Sequence, residues 1–103
     1  MNNEGIADVF NNAVGTAKGK LADCLKINSK LLVNLHSEAD STLVVVGLPL
    51  KGNSHRFEIK FTVKDNDITL IEPEIMFKIS GLDQDGVEDD ITNSIVTLVR
   101  EVS

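Results

Sequence analysis

The spacing of apolar residues changes period twice along this chain, from helical to strand-like and back, and no other feature constrains the fold as tightly. Ile6, Phe10, Ala13, Val14, Ala17, Leu21, Cys24 and Leu25 recur at steps of three and four, which gathers them on one stripe of a helix over about residues 3–25. Asn2 or Asn3 is the candidate N-cap, because a short polar side chain there accepts from an otherwise orphaned helical N–H. At the far end, Val87, Ile91, Ile95, Leu98, Val99 and Val102 form a second helical stripe. Glu88, Asp89 and Asp90 fall in its first turn and Arg100 in its last, the arrangement that opposes the helix dipole. Asp83 or Asp85 is the expected cap.

Between the two helices the period is two. Ile27, Leu31, Val33 and Leu35 alternate with Asn28, Lys30, Asn34 and His36, predicting a strand with one wet face. After a polar connection at 37–41, the residues from Leu43 to Leu48 run apolar without alternation, which suits a central strand covered on both faces. Pro, Gly, Asn and Ser in 49–54 supply a turn. Phe57, Ile59, Phe61 and Val63 then alternate with Glu58, Lys60 and Thr62. The Asp65-Asn66-Asp67 triplet reads as a tight turn, and 68–80 as a fourth strand whose apolar phase flips across Glu72-Pro73-Glu74. A bulge or bend on an edge strand explains the flip.

These elements define one α+β domain over residues 1–103: an N-terminal helix, a four-stranded antiparallel meander and a C-terminal helix, with both helices on one face of the sheet as a two-layer sandwich. At 103 residues, with 42% hydrophobic and 25% charged residues, the chain is of ordinary globular composition and long enough for one core. Asp8, Lys18, Lys20 and Asp23 interrupt the first thirty residues, so neither a secretory signal nor a membrane span is read there. The solitary Cys24 and the absence of any Asn-x-Ser/Thr acceptor agree with a cytoplasmic chain lacking a disulfide framework.

Charge is unevenly placed in a chain of net charge -6: residues 1–64 hold 8 basic and 6 acidic residues, whereas the remainder holds 10 acidic ones against Lys78 and Arg100. Such a chain repels phosphate backbones and favours basic partners or plain solubility. Lys18, Lys20, Lys26 and Lys30 make the one basic cluster, without interleaved aromatics, so nucleic acid is not the expected partner.

Four short patterns carry possible chemistry. Gly15-Thr16-Ala17-Lys18-Gly19-Lys20 has three residues between its glycines and Leu21 after its lysine, where a phosphate-binding loop needs four residues and then Ser or Thr. Inside a helical pattern, Gly15 and Gly19 are better read as a surface for close backbone approach. Asp83-Gln84-Asp85-Gly86 matches the middle of a calcium loop, but Gly81 and Thr92 occupy the places of its first and last ligands. Cys24, His36 and His55 lack metal-pair spacing. Glu72 and Glu74 flank Pro73 and read as a charged strand edge, not as an acid/base pair.

No cofactor, no metal site and no catalytic residue is therefore expected, and the chain is read as a non-enzyme. The leading reading is a protein-interaction module, a small acidic adaptor, chaperone or inhibitor acting as a homodimer. Its motive is the doubly apolar central strand, since two helices cover only one sheet face. The candidate interface is Gly15, Gly19, Val44, Val46 and Leu48. The alternative is a small apolar-ligand carrier with a pocket between sheet and helices, where Ala13, Gly15, Ala17 and Gly19 face Phe57 and Phe61.

Overall fold

The structure, a computed structural model, describes residues 3–26, 30–73 and 77–103. Its order is α1 (Asn3–Lys20), β1 (Leu32–Ser37), β2 (Thr42–Leu48), β3 (Phe57–Lys64), β4 (Asp67–Glu72), β5 (Phe77–Gly81) and α2 (Val87–Val102). The strands form one antiparallel meander in the order β1-β2-β3-β4-β5. The sheet thus has five strands where the sequence predicts four. Residues 68–80 are not one bent strand: Leu70 lies opposite Phe77 and Ile68 opposite Ser80, so the chain reverses after Glu72 and the apolar phase flip marks that reversal. Pro73, which follows a cis peptide bond, has no N–H to continue a ladder. The expected positions of Asn2, Ile27, Asn28, Glu74 and Ile75 lie outside the described residues.

The core is built by one side of the sheet and one stripe of each helix. Val44, Val46 and Leu48 of β2, Ile59, Phe61 and Val63 of β3, and Ile68 and Leu70 of β4 are buried in one cluster with Ile6, Phe10, Ala13, Val14 and Ala17 of α1 and Val87, Ile91, Ile95, Leu98 and Val99 of α2. Removing each large side chain from water contributes about 1.5–3 kcal/mol. Phe10 and Phe61 meet with ring centroids 5.1 Å apart and planes tilted by 60°, a favoured aromatic geometry. Ala13 and Ala17 are fully buried, so small residues on α1 let the helix settle onto the sheet.

The helices run side by side in the same sense. Asn12 Nδ2 donates to Glu88 Oε2 (3.0 Å), Thr92 Oγ1 reaches the Ala13 carbonyl (3.1 Å), and Arg100 Nη2 donates to the Lys20 carbonyl (3.0 Å). α1 stops five residues short of the predicted end because another segment takes over its backbone groups: Lys26 N donates to the Pro49 carbonyl and Lys51 N to the Cys24 carbonyl, at 2.8 and 2.9 Å. α2 begins without the expected aspartate cap. Gly86 is its N-cap, at φ 82°, with no side-chain capping bond, and glycine occupies this left-handed conformation at little steric cost. Asp65 and Asn66 both have positive φ in the β3–β4 turn, which makes it a two-residue hairpin of the primed type that matches strand twist.

Candidate protein-interaction surface

The sheet face turned away from the helices is set by register. Across β2, Leu43 lies between His36 and Thr62, Val45 between Asn34 and Lys60, and Gly47 between Leu32 and Glu58. Thr69 continues the Thr62 row towards Lys78. Leu43 and Val45 are half-buried although no helix lies over them, and Leu32 is 40% exposed. Arg56 lays its side chain over Gly47 beside Leu32, with its Cδ 3.4 Å from where a Cβ on that glycine would stand, as long polar side chains commonly do on apolar surface. Lys60 Nζ sits 3.4 Å from Glu72 Oε2 across this face. The surface is therefore an apolar strip of Leu32, Val45 and Leu43, bordered by Arg56, by hydroxyls and by the ion pairs Lys60–Glu72, Lys64–Asp40 and Lys78–Asp67.

The candidate interface residues divide differently from expectation. Val44, Val46 and Leu48 are fully buried beneath the helices and offer nothing to a partner. Of the two sets on β2, Leu43 and Val45 take the open side. Gly15 and Gly19 are exposed, with nothing within 4 Å of where a Cβ would stand, so among the described residues no other backbone approaches them.

The remaining motifs fall as follows. Gly15 to Lys20 is helical throughout. Among the described residues, no three His, Cys, Asp or Glu gather as a metal-binding group. His36 and His55 are exposed. Lys18, Lys20, Lys26 and Lys30 are also exposed. No helix among the described residues is long and apolar enough to cross a membrane.

Two features were missed in the sequence. Arg100 closes the turn after α1: its Nη1 lies 2.7 Å from Asp23 Oδ2 and 3.1 Å from Cys24 Sγ, while Nη2 takes the Lys20 carbonyl. Cys24 is consequently half-buried beside a cation, not sealed in the apolar stripe. The hydrogen bond and charge of Arg100 hold the Asp23 carboxyl below its ordinary pKa. The second feature is an apolar groove of roughly 370 Å³ between the β5 edge and α2, lined by Leu70, Phe77 and Leu98 with Asn93, Ser94, Thr97 and Glu101. Phe77 is 60% exposed there. A polar cleft of roughly 510 Å³ lies at the opposite end, where Asp40, Ser41, Asp65 and Asn66 surround Ile6 and Leu82.

Comparison with known proteins finds no matching family model, no matching curated protein and no matching solved structure.

Proposed function

We propose that this protein is a protein-interaction module, a small acidic adaptor, chaperone or inhibitor that works as a homodimer and presents its open sheet face to a protein partner. The observation that carries this reading is the apolar strip of Leu32, Leu43 and Val45 on a face that neither helix covers. Apolar side chains surrounded by polar ones are the usual composition of a contact surface. A net charge of -6 favours encounter with a basic partner.

A photo-crosslinking residue at Thr62, in the middle of the open face, tests the reading in the native cell. Adducts of higher mass are expected from Thr62 and not from Asn11, which is exposed on α1. An open face that yields no adduct would contradict the proposal. The groove at Leu70, Phe77 and Leu98 favours a second reading as a carrier of a small apolar ligand, since its volume lies within the range of ligand sites. Saturable binding of a hydrophobic fluorophore that Phe77→Asp abolishes is the result that reading requires.

A further inference from the structure

The two edges of the sheet are defended unequally. β5 follows Pro73, carries a register shift opposite Ile68 and Thr69, and places Lys78 Nζ 3.5 Å from Asp67 Oδ1. Proline, bulges and edge lysines are the devices by which sheets avoid edge-to-edge pairing. β1 has none of them. Leu32–Ser37 contains no charged residue, proline or glycine, and it pairs with β2 over six residues without a register shift. Among the described residues no strand pairs with its outer side, so its row of backbone donors and acceptors is open to a further strand.

The sequence around β1 says which strand fits. In an antiparallel pairing of two copies about a two-fold axis at Asn34, Lys30 of one chain lies opposite Glu38 of the other, twice. Leu32 then faces His36, Val33 faces Leu35, and Asn34 faces its own copy, where the two side-chain amides can hydrogen-bond. Directly opposed residues share a face, so the half-buried Val33 and Leu35 meet on the helix side and Leu32 extends the strip on the open side. Shifting the register by two residues sets Lys30 opposite His36 in one direction and, in the other, opposite Asp40, which Lys64 already holds at 3.1 Å. Within one chain the two are about 25 Å apart along the extended strand, so only a second copy brings them together.

We infer that the dimer forms by antiparallel β1–β1 pairing between two copies of this chain, giving one continuous ten-stranded sheet. This rests on the reading of the protein as a self-associating interaction module and specifies its interface. The consequence is functional. Five strands spaced about 4.8 Å, each some six residues long, give one open face a plan area of about 500 Å². Edge pairing leaves both open faces free and joins them into one surface of twice that area.

Charge exchange and crosslinking test the inference together. Lys30→Glu and Glu38→Lys each set like charges opposite one another twice per dimer, and each is expected to raise the dimer dissociation constant about tenfold; the double variant K30E/E38K restores opposite charges and is expected to recover the wild-type value. On a Cys24→Ser background, Asn34→Cys is expected to form an intermolecular disulfide on mild oxidation, since residues opposed across antiparallel strands have Cα atoms about 4.5–5.5 Å apart. Thr62→Cys on that background is expected not to. A wild-type dimer that ignores all three charge variants and crosslinks through position 62 would overturn edge pairing and leave the module reading standing in a face-to-face form. A wild-type chain that is monomeric at every concentration would overturn the homodimer and the edge inference together.

Discussion

Phe61 shows at the scale of one residue how the sheet chooses its inner face. It alternates with Lys60 and Thr62, is fully buried, and meets the ring of Phe10, whereas Lys60 lies on the opposite face with its ammonium near Glu72. Phe61→Ala is expected to cost about 3–5 kcal/mol by denaturant unfolding, and Lys60→Ala no more than about 1 kcal/mol; equal small losses would mean that the register is wrong. Asp23 makes a prediction in pH. Its folded-state pKa is lowered by Arg100, so the ionised carboxylate favours the folded chain above the unfolded pKa of about 3.9, and that contribution is lost as the pH falls through the folded value. Asp23→Asn should therefore be less stable than wild type at about pH 7, with the difference closing as the pH falls below the unfolded pKa and through the lowered folded one. A gap that persists or widens in acid would contradict the Arg100 clamp. The carboxylate side of that clamp was not legible from spacing, because Asp23 and Arg100 are 77 positions apart and meet only because the helices run in the same sense.

At the scale of the elements, periodicity identified what each segment is better than where it ends. The stripe from Ile6 to Ala17 and the alternation from Phe57 to Val63 survive intact in α1 and β3, since burial on one side is what creates such patterns. Tertiary hydrogen bonds from 49–51 decided the end of α1, and a chain reversal divided the fourth predicted strand; neither leaves a periodic trace. Thr92 escaped notice because a hydroxyl in an apolar stripe reads as surface, yet it is 2% exposed and reaches backbone carbonyls of both helices. The unbroken apolar run of β2 was legible as an interior strand, but the expected cover on both faces is not found: the helices cover Val44, Val46 and Leu48 and leave Leu43 and Val45 on the open side. Gly15 and Gly19 supply the test at this scale. Both are helical and exposed with open space around them, so Gly15→Ala and Gly19→Ala should each stabilise the protein by about 0.5–1 kcal/mol. Sedimentation of the double variant should match wild type; a weakened dimer would place this side of α1 in the interface.

For the whole molecule, the arrangement of cover explains why association is the function proposed. Two helices of 18 and 16 residues shield one side of a five-stranded sheet, which leaves a half-apolar face and one undefended edge as the surfaces with most to gain from a partner. The acidic C-terminal third adds a net negative charge that opposes non-specific association of such a molecule. Edge pairing would use the strand that lacks protection and would double the open face. Sedimentation equilibrium of the wild-type chain across micromolar concentrations is the most direct measurement of this account. The expected result is a concentration-dependent mass that rises towards twice 11.2 kDa. A mass that stays at 11.2 kDa throughout would contradict it.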